Sequence, residues 1–233
     1  MNWIIPGTTL EASRAEADRV SELFRSLFLA GGLSLSQVSA ISGLESHTIQ
    51  NWVKRGFLSP PVNKRYSMEQ VCRILNINLL KGTLPLEEIS RMMGYINGCL
   101  TDESDDTIDD TQLFFYFVNL ASRARHLGGT EEWSAAIESV LADYAEPIPG
   151  AKARIVQVLR IMLTAWVAGR LRLEAEGMLS QIYGGYYVLW IYGFSVPNPV
   201  FGHVRTGFRY DRVHAGEKQQ AGAEKRRISP PDL

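Results

Sequence analysis

The fold is decided by residues 34–56, which read SLSQVSAISGLESHTIQNWVKRG. Ser34 and Gln37 have the spacing of a capping box, in which each side chain accepts a hydrogen bond from a free backbone amide of the first turn. Gly43 can take the positive φ that a tight turn between helices needs, and Ser46 can cap a second helix. The pattern predicts two short helices around a glycine turn, as in a helix-turn-helix.

A proline-rich segment and two further helices follow. Residues 59–62, Ser-Pro-Pro-Val, force extended backbone, because proline lacks an amide donor and restricts the residue before it. They predict a loop or wing. Ser67 and Gln70 repeat the capping-box spacing and open a third helix, and Pro85 opens a fourth that runs to about residue 93.

Apolar spacing indicates which side chains of these helices face inward. Trp52 stands beside Ile49 and Val53 on one side of the second helix, and this favours a place in the core. Cys72 lies among the apolar positions of the third helix, so we expect a small buried hydrophobic side chain.

Helical periodicity extends on both sides of this region. Upstream, residues 9–30 carry an apolar stripe that ends at a glycine pair and predicts one N-terminal helix. Downstream, residues 107–126, 130–144 and 151–176 have the same period, and together they predict a helical bundle.

Five segments in register resemble the DNA-binding head of the MerR regulators. They are SQVSAISGL (36–44), TIQNW (48–52), GFLSP (56–60), RYS (65–67) and LEEI (86–89). The resemblance covers roughly residues 33–93, and KRYS (64–67) with INLLK (77–81) also looks like an uncharacterised bacterial family built on that head.

The resemblance implies a winged helix-turn-helix that binds double-stranded DNA as a bacterial transcriptional regulator. The second helix would enter the major groove, and the wing, residues 62–66, would touch phosphates or the adjacent minor groove. The resemblance also implies a homodimer and leaves room for a small-molecule effector.

The residue types in this region suit such contacts. Gln50 and Asn51 can form paired hydrogen bonds with adenine, and the lysines and arginines can contact phosphates, which adds affinity without sequence information. The candidate DNA-binding residues are Ser46, His47, Thr48, Gln50, Asn51, Lys54, Arg55, Asn63, Lys64, Arg65 and Tyr66.

The sequence departs from the MerR pattern in three places. Many MerR proteins place an arginine and two aromatic residues after Thr-Ile, where this chain has Gln50, Asn51 and Trp52. Base preference therefore does not carry over. The wing is also shorter than usual, and an acidic stretch stands where MerR proteins have a long dimerisation helix.

We therefore expect an all-α, mainly helical chain with a MerR-like winged head and a C-terminal helical domain. The acidic stretch, with almost no apolar side chain, predicts a solvated linker. The predicted parts are an N-terminal helix (1–32), the winged DNA-binding domain (33–98), the acidic linker (99–110), a helical dimerisation or sensing domain (111–195) and a mostly disordered tail (196–233).

Composition excludes only fibrous and wholly disordered proteins. The chain has 233 residues, of which 45% are hydrophobic and 21% charged, with a net charge of −1, and this is typical of an ordinary globular protein. Two cysteines are too few for a disulfide framework and fit a reducing cytosol. The first residues lack the basic stretch and long apolar run that are typical of a secretory signal, so the expected location is cytoplasmic.

Neither an enzyme nor a cofactor or metal site is expected. The sequence has no glycine-rich phosphate loop, nucleophile elbow or paired metal ligands at usable spacing. Arginines interrupt the apolar face of residues 151–176, which argues against a membrane span there. The uncharged, tyrosine-rich residues 177–202 are expected to pack on the bundle, and a membrane-associated segment is the alternative.

The main functional alternative is a protein-interaction module that uses a helix-turn-helix scaffold without binding DNA. Such a module would have the same helix caps and the same glycine turn. The distinguishing observation is whether Lys54, Arg55, Lys64 and Arg65 form one exposed positive face. The operator, the sign of regulation and the oligomeric state are not given by the sequence.

Overall fold

The computed structural model describes residues 2–97, 107–124 and 130–182. The chain divides into two units, Met1–Met178 and Leu179–Leu233. Of the second unit, only the end of the last helix, to residue 182, is among the described residues. The described part is mainly helical, as expected, with one small two-stranded hairpin near the N-terminus.

The N-terminus differs from the predicted continuous helix over residues 9–30. Strand β1 (Asn2–Ile4) pairs antiparallel with β2 (Glu11–Ser13), and Trp3 lies opposite Ala12. The helical part begins with a 3₁₀ helix (Arg14–Arg19) and continues as α1 (Val20–Leu27). The physical reason is the pairing of β1 with β2, a contact between two segments that helical periodicity does not detect, and Trp3 of β1 is buried in the core.

Two short helices follow, joined by a tight turn. Helix α2 (Leu35–Ser42) starts at the capping box that the sequence predicts, and its C-cap Gly43 has a φ of 69°. Helix α3 spans Ser46–Lys54. The expected cap is corrected by one residue: Glu45 is the N-cap, and the Ser46 hydroxyl lies 2.9 Å from that of Ser39.

Helix α4 (Met68–Leu80) lies at the centre of the fold. Its capping box is the predicted one, and its side chains from Val71 to Ile77 are all buried. The expected burial of Cys72 is therefore confirmed. Helix α5 (Leu86–Asn97) begins after Pro85 and runs four residues beyond the predicted end.

Three more helices complete the described fold: α6 (Asp110–Arg123), α7 (Thr130–Val140) and α8 (Ala151–Ile182). Aromatic contacts join α6 to α1 and to α8. The ring centre of Phe114 lies 5.4 Å from that of Phe24 in α1, and the ring centre of Phe117 lies 6.0 Å from that of Trp166 in α8. Buried side chains from residue 3 to residue 165 form one continuous hydrophobic core. The helices around α3 therefore share a core with the C-terminal helices.

A buried ion pair joins α4 to α6. Arg73 Nη1 lies 2.9 Å from Asp110 Oδ2, and Asn76 Nδ2 donates to the backbone oxygen of Asp110 over 3.1 Å. Arg73 Nε also donates to the carbonyl of Phe57 over 3.0 Å, just after α3. Burial raises the pKa of the Asp110 carboxyl above its ordinary value, against the opposing effect of the Arg73 guanidinium.

These contacts correct the expectation for the end of the acidic stretch. Asp110 is 3% exposed, because Arg73 and Asn76 supply partners in the core. Asp109 is the N-cap of α6 and accepts from the amide of Gln112 over 2.8 Å. The rest of the linker prediction falls mainly on residues 98–106, outside the described residues, as do the calls on residues 183–233.

Among the described residues, none of the helices combines the length and apolar character needed to cross a membrane.

Candidate nucleic-acid interface

Helix α3 has one inward and one outward face. Ile49 and Trp52 are buried, and they fix the helix against the core. The expected core position of Trp52 is thus confirmed. The opposite face is exposed and polar, and it consists of His47, Gln50, Asn51 and Lys54, spaced i, i+3, i+4 and i+7. We call these four side chains the α3 stripe.

The α3 stripe differs chemically from the rest of the surface of the helix. It offers amide, imidazole and ammonium groups, and no acidic side chain lies within the helix itself. Ser46 and Thr48 are half-buried beside it. The stripe therefore presents hydrogen-bond donors and acceptors on a rigid element.

The segment predicted as a wing is a tight hairpin. Val62 and Arg65 form an antiparallel bridge, and the amide of Arg65 donates to the carbonyl of Val62 over 2.9 Å. The two residues at the tip, Asn63 and Lys64, have φ values of 51° and 61°. Positive φ at both central positions is typical of a type I′ turn, whose twist suits paired strands. All four side chains of this hairpin are exposed.

The hairpin is fastened to the start of α2. Leu33 and Tyr66 exchange backbone hydrogen bonds of 2.9 and 2.8 Å. Gly32 permits this approach, since a Cβ there would lie 2.6 Å from the Tyr66 carbonyl oxygen. The guanidinium of Arg65 donates to the carbonyl of Gly32 over 3.0 Å, which holds the side chain near the base of the hairpin.

A glutamine outside the predicted site holds the approach to the hairpin. The side-chain nitrogen of Gln70 donates to the carbonyl of Ser59 over 3.2 Å, to its hydroxyl over 2.9 Å and to the carbonyl of Pro60 over 2.9 Å. The sequence predicts only the capping role of Gln70 at Ser67. Capping uses the side-chain oxygen of Gln70 and leaves its amide nitrogen without a predicted acceptor. That unassigned donor was the one sign in the sequence that Gln70 could hold a second segment.

Two of the predicted site residues are placed away from solvent or already paired. Tyr66 is 3% exposed, and burial raises the pKa of its phenol. Arg55 forms an ion pair with Glu87 of α5, and its guanidinium also lies 4.6 Å from the centre of the Phe57 ring. Tyr66 is therefore a core residue, and Arg55 is a partly neutralised cation.

The other cations of the predicted site are Lys54, Lys64 and Arg65, and all three are exposed. Within the part of the chain that the structure describes, none of the three forms an ion pair. The positive groups thus stand at the end of α3 and at the tip and base of the hairpin. Across the described residues there is also no group of three His, Cys, Asp or Glu side chains arranged to hold a metal ion.

Comparison with known proteins finds a family model that covers this part of the chain. Residues 22–117 match the family model described as "Domain of unknown function (DUF1836)". A stretch of 80 residues is 32% identical to "Uncharacterized protein YkrK" of Bacillus subtilis (strain 168), covering 33% of this chain and 34% of that protein. No solved structure matches. The chain is thus similar to the DUF1836 family over α2, α3 and the hairpin, the region that holds the whole candidate interface.

Proposed function

We propose that α2, α3 and the hairpin form a winged helix-turn-helix, and that the chain is a sequence-specific double-stranded DNA-binding regulator of transcription. The observation that carries the proposal is the α3 stripe, an exposed polar face on a helix whose other face is locked into the core by Ile49 and Trp52. A helix held in this way can place its outward side chains in the major groove, which is wide enough to admit it.

Base reading falls to the two amides in the middle of the stripe. Gln50 and Asn51 each carry one acceptor and one amide donor group, the combination that pairs with N7 and the 6-amino group of adenine. Both are exposed, and both lie on a helix rather than a loop. Each well-formed bidentate contact discriminates against a wrong base by about 1–3 kcal/mol.

Phosphate contacts fall to three cations of the head that form no ion pair among the described residues. Lys54 ends α3, and Lys64 and Arg65 belong to the hairpin. Each phosphate neutralised steepens the dependence of log K on log salt by about 0.9. Three such contacts give a shallow slope for one head, and we propose that a homodimer doubles the number. An effector that acts through the helical domain stays part of the proposal.

The test is binding of the purified full chain to a labelled duplex from upstream of its own gene, at several salt concentrations. Wild type should bind, and its affinity should fall as salt rises. The variant Lys54→Ala/Lys64→Ala should bind more weakly. Its slope of log K against log salt should be shallower by about 2 for each head, because the variant neutralises two fewer phosphates and so releases fewer counterions when it binds.

A matched control removes the same amount of charge elsewhere. Arg123→Ala/Arg160→Ala changes two exposed cations of α6 and α8 and leaves the head intact. Its salt slope should equal that of wild type. If wild type stays folded and binds neither this duplex nor random DNA at low salt, the DNA proposal fails, and the rival protein-interaction role becomes the one to pursue.

A further inference from the structure

The C-terminal end of α3 is closed by backbone hydrogen bonds in a Schellman motif. The amide of Gly56 donates to the carbonyl of Val53 over 3.1 Å, and the amide of Phe57 donates to the carbonyl of Trp52 over 3.0 Å. These bonds satisfy carbonyls that a helix end otherwise leaves without partners. The peptide groups after α3 are therefore part of its cap, directly beside Lys54, the last residue of the helix.

Arg73 of α4 holds this cap from its other side. The carbonyl of Phe57 accepts from Arg73 Nε over 3.0 Å, so the amide of Phe57 is bound to α3 and its carbonyl is bound to α4. The ring of Phe57 makes a further contact, since the guanidinium of Arg55 lies 4.6 Å from its centre. The residue that leads from α3 towards the hairpin is thus held through both its backbone and its side chain.

The guanidinium of Arg73 also reaches α6. Arg73 Nη1 lies 2.9 Å from Asp110 Oδ2, and the two side chains are only 7% and 5% exposed. Asp110 is itself fixed, because it is the first residue of α6 and its carbonyl oxygen accepts from the buried Asn76. Arg73 therefore joins the end of α3 to the start of α6 through two nitrogens of one planar group.

Stability alone does not require a charged pair at this place. A buried ion pair is often no more stabilising than apolar side chains of similar volume, because both charges must leave water. An apolar side chain in place of Arg73, however, has no donor for the carbonyl of Phe57. The guanidinium therefore supplies a connection between the two helices that apolar packing does not.

We propose that Arg73 is a positioning residue of the head formed by α2, α3 and the hairpin, and that it sets where Lys54 meets a DNA phosphate. The role rests on the proposed function, since it concerns a contact with DNA. Lys54 lies three residues before Phe57, so a displacement of the Phe57 peptide moves its ammonium group. Contacts are placed most accurately by side chains whose supporting residues are themselves locked.

The hairpin is held independently of this link. The side chain of Gln70 holds the segment before it, and backbone hydrogen bonds between Leu33 and Tyr66 hold its base. Lys64, at the tip, is therefore expected to keep its phosphate contact when the link through Arg73 is broken. Lys54 is expected to lose its own.

The first test is amide hydrogen exchange of the full-chain variant Arg73→Met/Asp110→Leu, which fills the space and leaves no buried charge. The amides of Gly56 and Phe57 should exchange about tenfold faster than in wild type, the factor expected when one hydrogen bond from a charged donor is lost. The amide of Val38 in α2, which donates to Ser34, should change far less.

Two further variants guard this measurement. Leu163→Ala, at a fully buried side chain of α8 outside the link, should not single out the end of α3, so any change at Gly56 and Phe57 should also occur at Val38. Arg73→Lys keeps the charge but has a carbon at the position of Nε. It should therefore speed exchange at Gly56 and Phe57 even if the double variant does not fold.

The second test is DNA binding at several salt concentrations with Arg73→Met/Asp110→Leu as the background. Lys54→Ala should cause little further loss of affinity there, because its contact is already lost. Lys64→Ala is the matched control. It should make the salt slope shallower by about 0.9 for each head in this background and in wild type alike.

Two results overturn the positioning role and leave the ion pair purely structural. One is exchange at Gly56 and Phe57 as slow as in wild type in the folded variants. The other is a full additional loss of affinity from Lys54→Ala in the double-variant background. A wild type that binds no duplex overturns the proposed function and with it the contact of Lys54. The exchange measurement, which needs no DNA, then decides by itself whether Arg73 fixes the end of α3.

Discussion

Removal of the Asp110 carboxylate is expected to cost more stability than removal of an exposed partner. Arg73 and Asp110 lie 2.9 Å apart, and their side chains are only 7% and 5% exposed. Asp110→Ala leaves the Arg73 guanidinium buried beside a small cavity. It still has the carbonyl of Phe57 as an acceptor, but it has lost the balancing charge.

The magnitude follows from this burial. Breaking a buried ion pair by removing one partner costs about 3–5 kcal/mol, because the other charge is left uncompensated. We expect the lower end, about 3 kcal/mol, since Arg73 keeps its bond to Phe57 and Asp110 Oδ1 has no hydrogen-bond partner among the described residues to lose.

The assay is urea unfolding followed by far-ultraviolet circular dichroism, with Arg91→Ala as the matched control. Arg91 and Glu88 lie 2.7 Å apart on α5, but their side chains are 74% and 51% exposed, so this pair contributes less than about 1 kcal/mol. The variant Arg73→Met/Asp110→Leu should recover most of the loss, because no buried charge remains. If Asp110→Ala unfolds at the same urea concentration as Arg91→Ala, the reasoning about this pair is wrong.

Four other substitutions test local features of the fold. Gly43→Ala should lower the free energy of unfolding by about 1–2 kcal/mol, because Gly43 has a φ of 69° and an added Cβ would lie 3.0 Å from Thr9 Cγ2. Gly94→Ala should raise the free energy of unfolding by about 0.5–1 kcal/mol, because Gly94 lies within α5 and an added Cβ would meet nothing within 4 Å. The urea midpoints of the two variants compare these effects. Ser34→Ala removes the cap of α2 and should cost about 1 kcal/mol in the same assay, and an unchanged midpoint would show that the cap is not stabilising. Burial, with the Asp143 hydrogen bond, raises the pKa of Tyr116 from 10.0 to about 12. Because the unfolded phenol ionises first, stability should be fully present below pH 10 and fall as pH rises towards 12, and Tyr116→Phe should reduce that fall.

Features that depend on neighbours in the chain were predictable. The capping boxes at Ser34 and Ser67 formed as predicted, because the interacting groups are only three residues apart. The core position of Trp52 follows from the period of a single helix. The turn at Gly43 is equally local, since it depends on one residue's backbone freedom.

Features that depend on distant residues were not predictable from these patterns. In the sequence, Asp110 belongs to the acidic stretch that predicts a solvated linker. Its burial depends on the contact with Arg73, 37 positions away, which no local pattern shows. Arg55 reads as a free cation, but Glu87 of α5 neutralises it. The pairing of β1 with β2 likewise makes a strand of Glu11–Ser13, which belongs to the stretch of residues 9–30 whose apolar spacing, taken alone, favours a helix.

The central claim is that the α3 stripe reads bases, and the most direct measurement is selection of bound sequences from a random pool of DNA duplexes. Wild type should enrich one motif, and Gln50→Ala/Asn51→Ala should lose preference at one or two adjacent base pairs while non-specific, salt-dependent binding persists. Enrichment of the same motif by both proteins, or of no motif by wild type, would contradict the account.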